Sequence, residues 1–195
     1  LITTRGFKDT LTLARVGRDF LSPDLFECER PPELVPRKLI WELTERIDSH
    51  GDILVEPSER ELETILRDAR EKEIEALAVC LLWSFKNPVH ERWVERRLKE
   101  QAPHLYISLS SELAPIMGEY ERTTTVSINA ALGPRLRDQL TQLEGELARY
   151  DLRVPLMLMQ STGGVVPLSD ALAKPVHLMN SGPAGGVLAG EYFSQ

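Results

Sequence analysis

The sequence predicts an α/β fold with a mostly parallel sheet and an antiparallel hairpin, on three observations. Ala76–Trp83 (ALAVCLLW) is apolar on both faces, as a central strand covered from both sides is. It leads through a helical pattern to a short strand at His104–Leu109. Strand, helix and strand in that order make a parallel βαβ unit with a right-handed crossover. Upstream, Leu39–Val55 alternates with period two around a turn, the pattern of a hairpin with one wet face.

Each element has its own signal. Phe7, Leu11 and Ala14 repeat at helical spacing within GFKDTLTLARVGR and predict a short helix. Leu21–Pro36 carries Pro23, Pro31, Pro32 and Pro36 and reads as an extended connector. In the hairpin, Leu39, Trp41, Leu43 and Ile47 alternate with Ile40, Glu42, Thr44 and Arg46. Ser49-His50-Gly51-Asp52 supplies the turn, and Ile53-Leu54-Val55 returns. Ser58 followed by Glu61 is a capping box opening a helix with a buried stripe of Leu62, Ile65, Leu66 and Ala69. Asn87-Pro88 starts the next helix, with Val89, Trp93, Val94 and Leu98 inward and Glu95 paired with Lys99 outside.

A long helix is expected from about Gly118 to Tyr150, where Ile128, Leu132, Leu136, Leu140, Leu143 and Leu147 step by four or three. Pro134 has no N–H for the carbonyl of Ala130, which predicts a kink or break at Gly133-Pro134. Val154–Met159 and Val176–Met179 are read as the remaining strands, with a short helix near Ser169–Ala173 between them. The last strand runs into a loop at Ser181–Gly186 and a final small-residue helix. The expected divisions are a connector and hairpin segment over residues 1–57, an α/β body over 58–180, and the start of a crossing helix over 181–195.

Composition removes several functions. The chain has 195 residues, 42% apolar and 27% charged, an ordinary globular balance. Its formal charge of -7 argues against a nucleic-acid or anionic-membrane partner, since both need a basic face. The longest apolar run, Ala76–Trp83, is far short of a bilayer span. Cys28 and Cys80 alone make no disulfide scaffold and point to a reducing, cytoplasmic compartment. The start at Leu1-Ile2-Thr3, without Met, reads as cut from a longer protein.

Standard reactive motifs are missing. There is no Gly-Lys dipeptide for a Walker A loop, no GxGxxG and no G-x-S-x-G elbow around Ser161. His50, His90, His104 and His177 lie apart, so no metal site is expected, and His90 reads as a surface residue. Cys80 reads as packing. Two glycine-rich segments remain, Gln160-Ser161-Thr162-Gly163-Gly164 and Ser181–Gly186. In an α/β sheet such loops at strand ends present N–H groups to anions, but glycines also simply permit tight turns. At the second, Gly185 or Gly186 is expected where another backbone comes close. Glu119-Tyr120-Glu121-Arg122-Thr123 is the densest polar cluster. Either it binds a polar ligand, or it is an acidic helix N-terminus with Arg122 solvated.

Six ordered segments carry a resemblance: LITTRGFKDTLTLARVGR, LVPRKLIWELTERID, AVCLLWSFKNPVHE, EYERTTTVSINAALGP, MQSTGG and SGPAGGVLAG. Together they resemble the hydantoinase/oxoprolinase A family over essentially the whole chain. That family includes ATP-dependent hydantoinases, N-methylhydantoinases, 5-oxoprolinases and, more distantly, acetone carboxylase subunits. The family's IGRQ pattern is loosely matched at Ala14-Arg15-Val16-Gly17-Arg18-Asp19.

The resemblance implies a portion of a ribonuclease-H-like fold of the actin, Hsp70 and hexokinase superfamily, with two such domains clamping ATP. The family's Asp-x-Gly-Gly-Thr nucleotide loops do not occur here, so an interior portion, inactive alone, is expected. The implied parent reaction is ring-opening hydrolysis of a cyclic amide such as hydantoin or 5-oxoproline. ATP would phosphorylate the carbonyl oxygen with Mg²⁺ neutralising charge. A carboxylase of the acetone type and a non-catalytic module docking a partner subunit are the alternatives. A B-type hydantoinase subunit is the implied partner. Glu119, Tyr120, Arg122, Thr123, Gln160 and Ser161 become candidate substrate-side residues. Gly163, Gly164, Ser181, Gly182, Gly185 and Gly186 become candidates for loops near nucleotide or hinge, with SGPAGGVLAG resembling the interdomain crossing helix.

Overall fold

The structure, a computed structural model, describes residues 1–14, 33–152 and 154–194. It comprises two compact units, Leu1–Ala130 and Ala131–Gln195.

The first unit is built on a four-stranded, wholly parallel sheet. Its strands are β1 (Ile2–Thr4), β2 (Trp41–Leu43), β5 (Ala76–Cys80) and β6 (Tyr106–Leu109), in the order β2-β1-β5-β6. Ala76 pairs with Tyr106 and Val79 with Leu109, so the expected βαβ unit is present. β5 lies inside the sheet, and its alternation explains its apolar character. Leu77 and Val79 face one side with Ile2 and Leu43, against Leu62, Ile65 and Leu66 of α2 (Glu59–Glu71) and Val94 and Leu98 of α3 (Val89–Gln101). Ala78 and Cys80 face the other side with Leu1 and Ile40, against Val126 and Ala130. Fully burying each such leucine or valine contributes about 1.5–3 kcal/mol.

The centre of the sheet corrects the sequence reading. Ile2–Thr4 pairs with Trp41–Leu43 on one side and with Val79 and Cys80 on the other, although its three residues carry no alternation to detect. Trp41–Leu43 therefore leaves the expected hairpin and joins this sheet in parallel. The hairpin is β3 (Arg46–Ile47) against β4 (Ile53–Val55), closed as expected at 48–52. Asp48 Oδ1 accepts from the N–H groups of His50, Gly51 and Asp52 at 2.8, 3.0 and 2.9 Å. Gly51 takes the positive φ of 96° that the turn demands.

The expected helix over GFKDTLTLARVGR is α1 (Thr10–Leu13); its later residues and most of the Leu21–Pro36 connector lie outside the described residues. In α2 the expected stripe is buried and Ser58 Oγ accepts from Glu61 N–H at 3.4 Å. Glu61 does not return to Ser58 but takes the Thr44 N–H at 2.7 Å, tying the helix to the β2–β3 link. In α3, Val94 and Leu98 are buried and Lys99 meets Glu95 at 2.6 Å, while Val89 is exposed and His90 turns inward.

After α4 (Ser110–Leu113), the long helix α5 (Glu119–Arg149) runs through Pro134 without a break. The boundary between the two units falls inside it, three residues before Gly133.

The second unit departs from the expected strands. Only Met157–Met159 (β7) of Val154–Met159 is extended, and it pairs antiparallel with Val165–Pro167 (β8), not with the parallel sheet. Val176–Met179 is not a strand: Pro175–Leu178 forms a 3-10 turn after α6 (Leu168–Ala173), with Pro175 pre-setting φ at its first position. Ser181–Gly186 is not a loop but the opening of α7 (Ser181–Phe193), which follows Asn180 at a left-handed φ of 60°. Pro183 is tolerated there because the first turn's N–H groups have no intrahelical partner. No described helix is long and apolar enough to cross a membrane.

Candidate functional site

Parallel strands bring their carboxyl ends to one edge, and that edge holds the densest buried polar network of the first unit. β5 stops at Cys80 because the next backbone groups are taken by side chains. Glu91 Oε1 accepts from Leu81 N–H at 2.9 Å, and Arg122 donates to Leu81 O at 2.9 Å. The chain then turns through Trp83, whose φ of 56° is unusual for a bulky residue.

Glu91 and Arg122 are fully buried and 3.7 Å apart. Glu91 also accepts from Ser110 Oγ at 2.6 Å and Ser111 N–H at 2.8 Å, fixing the end of β6. Arg122 also donates to Ser84 and Ser110, and its guanidinium lies 5.4 Å from the centre of the Phe85 ring. The next residue back on α3 does the same work for β1. His90 Nδ1 meets Glu45 Oε2 at 2.7 Å, and Glu45 in turn holds the Thr4 hydroxyl. Thr4 Oγ1 accepts from Leu82 N–H at 2.9 Å. Two adjacent residues of one helical turn thus pin the ends of β1, β5 and β6. Neither was legible as such: the pattern of Leu43, Glu45 and Ile47 pointing inward together was the one signal that Glu45 is interior.

The Glu119–Thr123 cluster is split by its helix. Glu119 is exposed and Tyr120 half-buried, while Arg122 and Thr123 point into the protein. Arg122 is therefore not a solvated arginine, and His90 is not a surface histidine; both are 1% exposed because they satisfy buried backbone and carboxylate groups. Glu121 folds back over the helix start, where a Cβ on Gly118 would stand 2.6 Å from its Oε2. Thr123 Oγ1 donates to Cys80 Sγ at 3.2 Å, and Asn129 reaches Ser108 Oγ at 2.9 Å.

Burial pushes the Cys80 thiol up from its ordinary value, against the pull of the Arg122 guanidinium. In a Cys28→Ser background, native protein is expected to alkylate at least about tenfold more slowly than urea-unfolded protein at neutral pH, because the thiolate is the nucleophile. Equal rates would place Cys80 in contact with solvent.

In the second unit, Gln160–Gly164 is the turn between β7 and β8. Gln160 N–H reaches Gly164 O at 2.7 Å, Gly163 N–H reaches Gln160 O at 3.0 Å, and Ser161 N–H reaches His177 O at 2.8 Å. Gln160 is half-buried and Ser161 exposed. Gly163 has φ 89°, and a Cβ there would lie 2.9 Å from Leu188 Cδ1. The expected close backbone at Gly185 or Gly186 is not found among the described residues. Gly185 faces the Met159 side chain, with a Cβ there 3.6 Å from Met159 Cε, and Gly182 and Gly186 face open space. The candidates thus fall into two groups, Glu119–Thr123 in the first unit and the glycine-rich segments in the second.

The protein class defined so far is an α/β protein whose polar chemistry gathers at the carboxyl edge of a parallel sheet. Sequence comparison makes it specific. The hydantoinase/oxoprolinase N-terminal region model matches residues 1–102 and the hydantoinase/oxoprolinase model residues 122–195, so the chain belongs to the hydantoinase/oxoprolinase family.

Among its relatives are an uncharacterized protein of Methanocaldococcus jannaschii, 36% identical, and the caprolactamase subunit alpha of Pseudomonas jessenii, 29% identical. Both alignments cover 100% of this chain and 28% of the relative. The 5-oxoprolinase 1 of Arabidopsis thaliana is 31% identical over 96% of this chain and 16% of its own length. The chain therefore spans less than a third of these relatives. The crystal structure of the ATP-dependent caprolactamase from Pseudomonas jessenii superposes with a TM-score of 0.80 at 25% identity, over 94% of this chain and 26% of that one. Nucleotide-free acetone carboxylase shares the fold, with a TM-score of 0.79 at 24% identity over 98% of this chain and 28% of that one.

Proposed function

We propose that this chain is an interior part of the A subunit of an ATP-dependent cyclic amidase that opens a lactam or hydantoin-type ring. The observation carrying this reading is the family match combined with the shared fold of the ATP-dependent caprolactamase over nearly the whole chain. Sequence similarity to an acetone carboxylase beta subunit over the whole chain favours a second reading, an ATP-dependent carboxylase subunit. A B-type subunit is the proposed partner, and the cytoplasm the proposed compartment.

The nucleotide is proposed to be held by the longer protein beyond this chain. A Cβ on Gly163 would meet Leu188, and Ser181–Gly186 opens a helix. No group of three metal-ligating side chains occurs among the described residues. ATP and Mg²⁺ are proposed as cofactors of the longer protein. Among the candidates, Glu119, Tyr120, Gln160 and Ser161 keep accessible or half-accessible side chains and are proposed as the substrate-side residues. Within the first unit, Arg122 and Thr123 anchor the helix that carries Glu119 and Tyr120, through Leu81 and Cys80.

The test is ATP-dependent ring opening of hydantoin, 5-oxoproline and caprolactam by the longer protein with its partner subunit. Ring opening without bicarbonate is the expected result. Strict dependence on bicarbonate with a ketone substrate would replace it with the carboxylase reading. The 195-residue chain alone is expected to release no phosphate from ATP above a blank; turnover by a clean preparation would contradict the assignment of the nucleotide site elsewhere.

A further inference from the structure

We propose that His90 and Glu56 form a proton-operated latch holding the β3–β4 hairpin to the start of α3. The inference follows from counting protons along one buried chain of groups. Leu82 N–H donates to Thr4 Oγ1 at 2.9 Å, so the hydroxyl proton is free to go to Glu45 Oε1. Glu45 accepts there, and its other oxygen accepts from His90 Nδ1 at 2.7 Å. A neutral imidazole has one N–H, and Glu45 takes it. His90 Nε2 is left as a bare lone pair, buried and without a hydrogen-bond partner.

The group facing that lone pair is Glu56 Oε2, 3.6 Å away. A carboxylate is also an acceptor, so the two cannot bond as they stand. One proton added to Nε2 converts the pair into a charge-assisted N–H···O contact, with imidazolium between two carboxylates. Among the described residues, the ionisable groups facing His90 are Glu45, from the link after β2, and Glu56, immediately after β4. Its helix neighbour Glu91 is committed to Leu81, Ser110 and Ser111.

The two partners differ in freedom. The His90 side chain is 2% exposed and held by Glu45, whereas that of Glu56 is 78% exposed. Closure therefore moves Glu56 and the strand end it extends from. The hairpin is already tied to the same region at its other end, where Asn87 Nδ2 donates to Gly51 O at 2.9 Å. Protonation adds a second tie at the base, and the hairpin becomes fastened at both ends.

Hydrogen exchange of the Ile53–Val55 amides tests this on the full 195-residue chain, corrected for intrinsic chemical rates. Protection is expected to rise about fivefold as the ring takes its second proton, an event followed by the ring ¹⁵N shifts in a pH series from 8 downward; that is the scale of one net hydrogen bond. Glu56→Gln, a substitution at an exposed side chain, is expected to abolish that rise while leaving the circular dichroism unchanged. Ring ¹⁵N shifts at pH 8 are expected to show Nδ1–H and a bare Nε2. An Nε2–H tautomer at pH 8, or the same rise in protection with Glu56→Gln, would overturn the proposal.

Discussion

Arg122→Met is expected to destabilise the Leu1–Ala130 unit by about 3–5 kcal/mol, the range for removing one partner of a buried ion pair. Methionine fills much of the volume but donates nothing. Leu81 O, Ser84 and Ser110 lose a donor together, and Glu91, fully buried, loses the one cation beside it. Arg122→Lys should recover only part of the loss: Nη2 alone meets all three acceptors, so an ammonium can serve some of them, but its different stem and point charge give up the guanidinium placed beside the Phe85 ring. The double variant Glu91→Gln/Arg122→Met should lose less than the sum of the single losses, since no uncompensated anion remains. Urea unfolding read by tryptophan fluorescence measures the wild type, Arg122→Met, Arg122→Lys, Glu91→Gln and the double variant. A loss below about 0.5 kcal/mol in Arg122→Met, the range of ordinary surface changes, would contradict the interior role assigned to this arginine.

Two glycines of the second unit should respond in opposite directions. Gly163→Val is expected to cost about 2–4 kcal/mol, combining the penalty of a left-handed φ with overpacking against Leu188. The valine Cβ would stand 2.9 Å from Leu188 Cδ1 at a φ of 89°. Gly185→Ala should instead stabilise by about 0.4–1 kcal/mol, because its φ is compatible with alanine and Met159 stands at ordinary contact distance. Thermal unfolding followed at the Met157–Met159, Val165 and Val166 amides separates the two. A destabilising Gly185→Ala would restore the expectation of a crowded backbone at that position.

Where pattern and environment are both local, the fold was legible. The Ser58 cap, the stripe of α2, the Asp48–Asp52 turn and the two-faced strand at Ala76 follow from spacing alone. In Val176-His177-Leu178-Met179 four residues are too few for a period to distinguish a strand from a turn. Pro175 decided it, by favouring helical φ at the first position. Ile2–Thr4 escaped notice because a three-residue strand is recognisable only by its neighbours, which lie 39 and 77 positions away.

The site was legible as a list of residue types and illegible as an arrangement. His90 and Arg122 look solvent-facing because their residue types usually are. Their partners Glu45, Leu81, Ser84 and Ser110 come from distant segments brought together only by the sheet. Glu119, three residues before Arg122 and on the same helical face, is exposed as the first residue of α5, and Tyr120 is half-buried.

The order of the parallel sheet has a consequence for how the chain is made. β1 is synthesised first, yet neither edge of it can be satisfied until much later: Trp41 and then Val79 must follow Ile2. At about 5–20 residues per second, the 77-residue interval to Val79 corresponds to about 4–15 s of translation. During that time the Ile2–Thr4 strand, even once Trp41–Leu43 has emerged, has no native partner on its second side. The nearest strand pairing within the sheet, Ala76 with Tyr106, still closes a loop of 30 residues. Every ladder in this sheet is therefore non-local, which favours slow folding over the rapid zippering of a hairpin. Nascent chains stalled before residue 79 should be the ones a holding chaperone binds most.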